Sequence, residues 1–307
     1  MKDDLAPRSI ADMPPPDTKS IAIMLHERDR RGPNENYRIW PIAENWRRAG
    51  IEVQVVHGPK PCLDADVLVP HIDCTIVPDA YWEVIQQHPR VVNARLRDIS
   101  KTAFSEHLVS VDDAYAGAVI VKTNRNSGGF KDLDFGQTRP QSLGDQLRKR
   151  LAWHPWLAKR SLGWAHTLKQ YPIFEHIAQV PTGVWDNPHL VVEKFFTPDC
   201  DAQGDHVLHL WIVMGDASLG LTLHSPDPLV KSANARLGTF EQPPPEILAA
   251  QERLGCDYAK IDYILHKGRP ILLDINRTPT LSNNAFTQHY INQTKDLAQG
   301  IASIRPH

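Results

Sequence analysis

The sequence predicts an α/β amino-terminal unit followed by an α+β carboxy-terminal part, and three observations carry this. Short apolar runs alternate with helically spaced segments between residues 20 and 96. From about residue 97 successive strand-like runs replace that alternation. Near the end, apolar runs at 258–265 and 270–275 flank His266-Lys267-Gly268-Arg269, the pattern of a β-hairpin.

Taken in order, residues 1–19 are polar and hold Pro14-Pro15-Pro16, which can neither pair as a strand nor continue a helix, so they read as a mobile tail. Ser20 to Leu25 suits a buried strand. Tyr37, Trp40, Ile42, Ala43 and Trp46 recur at helical spacing, and Gly50 stands where a helix ends. Strands are expected at 51–56, 66–70 and 91–93, with a helix at 79–87 capped by Asp79. Ala118 to Lys122 reads as a strand running into the glycine loop Asn124 to Phe130. Residues 143–178 are helical in tone and mix Trp153, Trp156 and Trp164 with Arg and Lys. Strands follow at 190–196, 207–214 and 218–223, then a proline break, a helix at 246–254 ending at Gly255, and the hairpin. The expected organisation is a tail (1–19), an α/β domain (20–96), a central subdomain (97–189) and a carboxy-terminal subdomain (190–307).

Composition excludes several function classes. Of 307 residues, 41% are hydrophobic and 23% charged, ordinary for a globular chain and too apolar for wholesale disorder. The net charge of -2 supplies no basic field, so neither nucleic acid nor an anionic membrane is an expected partner. Cys62, Cys74, Cys200 and Cys256 form no CxxC pair, which fits reduced thiols in a cytoplasmic protein. Neither a signal-peptide core nor a run of eighteen apolar residues is present. No HExxH or GxSxG motif points to zinc or to a serine nucleophile.

The chemistry concentrates in the final hairpin. Asp262, Asp274 and Asn276 are poor strand formers inside otherwise apolar strands. Asp274 and Asn276 share a face, and hairpin closure brings Asp262 opposite them. Such hard oxygens suit Mg²⁺; the alternative is that they cap a turn. Lys122, ending an apolar strand before Ser127-Gly128-Gly129, suits a phosphate, and an ordinary turn is the alternative. Leu190 to Phe196 can offer backbone groups to a planar base, or can be a plain core strand.

In order and content these motifs resemble the ATP-grasp superfamily, in the style of D-alanine–D-alanine ligase and RimK-like carboxylate–amine ligases. The likeness runs from Asp98-Ile99-Ser100-Lys101-Thr102 through Lys122 and Glu193-Lys194-Phe195-Phe196 to Leu272-Leu273-Asp274-Ile275-Asn276-Arg277-Thr278-Pro279. It implies an ATP-grasp fold and an ATP-dependent ligase that forms an amide through an acylphosphate, with Mg²⁺ (or Mn²⁺ in its place). Lys101 and Lys122 would meet phosphates, with Ser127, Gly128 and Gly129 as the lid over them. Glu193, Lys194 and Phe195, with Phe196 beside them, would meet the adenine edge, and Ile120 and Leu273 its faces. Asp199 or Asp201 would hold the ribose, and Asp262, Asp274 and Asn276 the metal.

Two departures stand out. His209 and His224 occupy strands where RimK-type relatives carry arginines, so Lys231, Arg236 or Arg277 would supply the missing charge, or the acceptor is unusual. The stretch between Lys122 and Glu193 is long; its tryptophans and bases read as an amphipathic helical pair, an anion clamp or a homodimer contact. Asn283 and Asn284 read as substrate contacts or turn formers. The expected partners are a small carboxylate and an amine; the competing readings are a small-molecule kinase and a non-catalytic nucleotide-binding regulator.

Overall fold

A computed structural model describes residues 18–30, 36–60, 64–137, 162–231, 235–281 and 287–307, with side chains in the last stretch from residue 293. Most of the expected tail, Trp153 and Trp156 of the basic insert, and Asn283 and Asn284 lie outside these residues. No helix among the described residues is long and apolar enough to cross a membrane.

The first sheet is parallel, with β1 (Ser20–Leu25) between β2 (Glu52–His57) and β3 (Val67–His71). β1 is apolar and buried from Ile21 onward because both of its faces are covered. Ile21, Ile23 and Leu25 pack with the helix Ile39–Arg48, while Ala22 and Met24 face Tyr81, Val84 and Ile85 of the helix Asp79–Gln87. The first of these cores also gathers residues from the far end of the chain. Trp46 donates its indole N–H to Ala298 O (2.8 Å) on the helix Thr287–Gln299, an element that shows no clear signal in the sequence.

A second sheet sets β4 (Val119–Thr123) between β5 (Ile173–Phe174) and β6 (Leu190–Lys194). The third has five antiparallel strands in the order β11-β10-β7-β8-β9: β7 is His206–Met214, β8 Ala217–Ser225, β9 Arg236–Phe240, β10 Tyr258–His266 and β11 Arg269–Asn276. The helix Pro245–Leu254 closes at Gly255, whose φ of 69° is the left-handed stop that the sequence predicts.

Three expectations change. Residues 91–93 form a single bridge, Val91 to Leu68, instead of a strand, because Asn93 turns away at φ 61°. Asp79 does not cap its helix; Pro78 holds the cap position and Asp79 pairs with Arg97. The described part of the helical insert, 162–178, contains β5 rather than a long helix. Pro172 disfavours helix at the residue before it, and its carbonyl accepts from the Val121 N–H at 3.0 Å. Trp164 is 41% exposed.

The turn at Asn93 ties the first sheet to the third. Its side chain accepts from the N–H groups of Asp257 (2.8 Å) and Tyr258 (2.9 Å) and donates to Tyr258 O (2.7 Å). Its own N–H donates to Asp257 Oδ2 at 2.7 Å. Asn93→Ala strands two buried backbone groups of Tyr258 and the half-buried N–H of Asp257, each costing roughly 1–3 kcal/mol when unpaired, so the variant should lose about 3 kcal/mol or more in urea unfolding. A loss within 0.5 kcal/mol, an ordinary surface effect, would show that the tie contributes little.

Candidate active site

The site grows from the pairing of β10 and β11. Asp262 stands directly opposite Asp274, and Lys260 opposite Asn276. Just beyond Asp262 the ladder slips: Tyr263 pairs with Leu272, which leaves Leu273 as the extra residue of a bulge. A regular strand points consecutive side chains to opposite faces, and the bulge lifts that rule, so Leu273 and Asp274 both line one cavity. Ile261, Tyr263 and Ile275 point the other way, into a core with Trp211 and Val213.

The cavity, about 210 Å³, lies between the second and third sheets. Lys101, Ile120, Lys122 and Tyr171 line it from one side, Lys194, Phe195 and Phe196 from the segment that joins the sheets, and Asp262, Leu273 and Asp274 from the hairpin. Nine of the residues expected at the nucleotide and the metal therefore converge on one space. Tyr171 has no sequence signal. Lys260 had one, its position two residues before Asp262 and on the same face.

Three ammonium–carboxylate pairs organise the charge. Lys101 Nζ meets Asp274 Oδ1 at 2.6 Å, Lys260 Nζ meets Asp262 Oδ2 at 2.6 Å, and Lys122 Nζ meets Glu193 Oε2 at 2.8 Å. Ser105 donates its hydroxyl to the other Glu193 oxygen. Burial would push the Asp274 carboxyl up, but the ammonium of Lys101 outweighs it and holds the carboxyl below its usual range. The same contact raises Lys101 against its own burial. Asp262 goes the other way, because burial lifts it further than Lys260 lowers it.

A divalent cation fits this donor set. Asp262 Oδ1 is buried without a hydrogen-bond partner, an acceptor that a cation would satisfy. Asp274 faces it across the ladder, and two carboxylates leave coordination positions for phosphate oxygens and water, as Mg²⁺ prefers. Among the described residues no cluster of three or more His, Cys, Asp or Glu forms a fuller metal cage. Asn276 is differently engaged: its amide oxygen accepts from Thr278 N–H (2.9 Å) and hydroxyl (3.1 Å), the turn-capping alternative.

Other expected residues lie elsewhere. Arg277 is buried and holds three carbonyls, of Leu96 (2.9 Å), Thr75 (2.8 Å) and Arg97 (3.0 Å); burial pushes its pKa down to about 10. Arg236 reaches Asp201 Oδ2 at 2.6 Å, and His224 Nδ1 reaches the same oxygen at 2.7 Å. Asp199 accepts from the N–H groups of Lys267 (2.7 Å) and Gly268 (2.8 Å), so it braces the hairpin turn. Ser127, Gly128 and Gly129, all at positive φ, pack against β11 outside the cavity lining; a Cβ on Gly128 would meet Leu168 O at 2.3 Å. The N–H groups of Lys194 and Phe195 are taken by His107 O (2.9 Å) and Ala118 O (2.8 Å). Phe196 N–H makes no backbone hydrogen bond among the described residues. Lys231 lines an adjoining cavity of about 540 Å³ that shares Leu208, Val230 and Asp262 with the first.

Neither histidine replaces an arginine there. Leu208, Leu210, Leu221 and Leu223 line the adjoining cavity, so His209 and His224, one residue away on β7 and β8, face the other side of the sheet. His209 stacks on Tyr263 with ring centroids 4.8 Å apart, and burial pushes its pKa down to about 4. The neutral ring belongs to the folded state, so stability is full above the ordinary value of 6.5 and is lost as pH falls towards 4. Over that window the protein should lose about 2–3 kcal/mol more than His209→Phe does, read as the difference between their denaturation midpoints. Parallel pH profiles would place the charge change on other groups.

No protein-family model and no curated protein sequence matches the chain. Solved structures do. D-cycloserine synthetase superposes with a TM-score of 0.50 at 11% identity, over 92% of this chain and 99% of its own. A RimK domain ATP-grasp protein from Sphaerobacter thermophilus gives 0.48 at 11% identity (92% and 99%), and D-alanine–D-alanine ligase from Bacillus anthracis 0.46 at 9% (92% and 98%). At such identities the likeness is one of fold alone, an ATP-grasp-like architecture.

Proposed function

We propose that the protein is an ATP- and Mg²⁺-dependent carboxylate–amine ligase that acts on small molecules through an acylphosphate and releases ADP and phosphate. The observation that carries this reading is the convergence of Lys101, Lys122, Asp262 and Asp274 on a cavity whose remaining walls are largely apolar. Cationic side chains beside aliphatic walls would suit the phosphates and the base of a nucleotide. Ile120 and Leu273 would hold the base faces, Phe196 N–H the base edge, and Lys194 a ring nitrogen. Asp262 and Asp274 would hold Mg²⁺, which neutralises phosphate charge as it redistributes.

The reaction then has a physical rationale. A carboxylate is a poor electrophile, and phosphoryl transfer to it creates a good leaving group. Its oxygen attacks the γ-phosphorus as the bond to ADP breaks; an amine then attacks the acyl carbon and phosphate departs with the bonding electrons. Lys101 and Lys122, which line the cavity, would meet the transferring oxygens as they gain charge, and fixed cations there need no reorganisation. Lys260 and Lys231 line the adjoining cavity, where the acid would enter. The Ser127–Gly129 loop would cover the phosphates and shield the acylphosphate from water.

The test is product analysis after incubation with Mg-ATP, a pool of small acids and an amine. ADP formed only with the acids, together with an acid–amine adduct lacking one water, supports the ligase. ADP with a phosphorylated substrate and no adduct would indicate a kinase, and AMP would overturn the acylphosphate route. Asp274→Asn should lower kcat on the order of a hundredfold or more with the fold retained, as removal of a charge-stabilising group does. Unchanged turnover in that variant would move the metal elsewhere.

A further inference from the structure

We infer that Thr75, on the loop after β3, is a positioning residue that fixes the Ser127–Gly129 loop relative to Lys101 and Asp274. The inference rests on the nucleotide reading for what the loop covers, but its evidence is the bonding of one buried residue. Thr75 is 1% exposed and lies outside the cavity lining, so it would act through other residues. Its carbonyl accepts from Ile99 N–H (3.0 Å), two residues before Lys101, and from Arg277 Nη2 (2.8 Å), three residues after Asp274. Its N–H donates to Asp132 Oδ1 at 3.0 Å and its hydroxyl to Asp132 Oδ2 at 2.6 Å. The same hydroxyl accepts from Asn126 N–H at 2.9 Å. Asn126 directly precedes the loop and Asp132 follows it by three residues, so one side chain holds both of its ends.

The loop needs holding from outside. Ser127, Gly128 and Gly129 stand in succession at φ of 49°, 66° and 77°, and for Ser127 that conformation is strained. Strained backbone persists only where its surroundings determine it. Inside the loop Ser127 N–H donates to Asn126 Oδ1 at 2.8 Å, and Leu168 N–H donates to Gly128 O at 3.2 Å. The remaining support comes from the two ends. Asp132 is 1% exposed, so its charge depends on its bonds to Thr75 and to Arg125 Nη1 (3.3 Å). Removal of the Thr75 hydroxyl takes a partner from Asp132 Oδ2 and from Asn126 N–H at once. The two carbonyl bonds of Thr75 remain, so Lys101 and the end of β11 keep their place while the loop loses its reference to them. Misplacement of about 1 Å is enough to spoil contacts aimed at one point.

Thr75→Val keeps the shape of the side chain and removes its hydroxyl, whereas Thr75→Ser keeps the hydroxyl. Two measurements on the full chain separate positioning from a general loss of fold. In hydrogen exchange without nucleotide, peptides spanning 126–134 should exchange about tenfold faster in Thr75→Val, with β7 and β8 unchanged. In calorimetric titration that variant should bind Mg-ADP about tenfold more weakly and adenosine within about twofold, because the loop would meet phosphates and not the base. Thr75→Ser, which keeps the hydrogen bonds, should restore both readouts. Should Thr75→Val not fold, Asp132→Asn, which removes the charge from the same contact, carries both measurements. Unchanged exchange at 126–134 would overturn the inference. So would an equal effect on Mg-ADP and adenosine where the unaltered protein binds both. Faster exchange at 126–134, in a chain whose unaltered form binds neither ligand, would sink the nucleotide reading and keep Thr75 as the residue that places the loop.

Discussion

The register between β10 and β11 is the constraint on which the site depends. A strand has two faces, and a slip of one residue exchanges them. Here such a slip would bury Asp262 with Trp211 and Val213 and turn Ile261 and Tyr263 towards the cavity. Two devices oppose it. The hairpin turns through Lys267 and Gly268, both at positive φ, a geometry that matches the twist of the paired strands. Asp199 then accepts hydrogen bonds from both of their N–H groups, so a residue far from Asp262 and Asp274 fixes where those two carboxylates fall. The bulge at Leu273 adds the one irregularity that lets an apolar side chain and a carboxylate share a wall.

Around that hairpin, buried polar contacts to backbone hold separate parts of the chain in place. Arg277 grips the carbonyls of Thr75, Leu96 and Arg97, and Asn93 clips the strand start at Asp257 and Tyr258. Thr278 reaches Asp73 Oδ1 at 2.9 Å, and Tyr37 reaches the other oxygen at 2.6 Å. The first sheet is thereby anchored beside the end of β11. Rigid placement of this kind is what a site needs when its chemistry depends on charges aimed at one point.

Much of the site was legible because its signals are local. Aspartates inside apolar strands stand out against strand preference, and a spacing of two assigns them a face. The lysines and the base-edge segment follow from motif order. What could not be read depends on partners far away in sequence. Thr278 bonds the Asn276 amide oxygen, carbonyls about 180 residues earlier hold Arg277, and Arg236 and His224 hold Asp201. The short strand β5 was hidden for a related reason: two residues carry no periodicity, and β4 supplies the pairing. His209 and His224 looked anomalous only until their face of the sheet was known.

The indole of Trp46 bonded to Ala298 has a consequence for how the chain acquires its shape. The core that holds Ile21, Ile23 and Trp46 also contains Leu297, Ile301 and Ile304. During synthesis the first strands leave the ribosome early, yet the surface they must cover arrives last. Until then a large apolar face has no native cover, which invites chaperone capture or self-association. Contacts spanning most of the sequence also make folding slow relative to local helix formation. The core around Trp46 is therefore complete only when the helix Thr287–Gln299 docks.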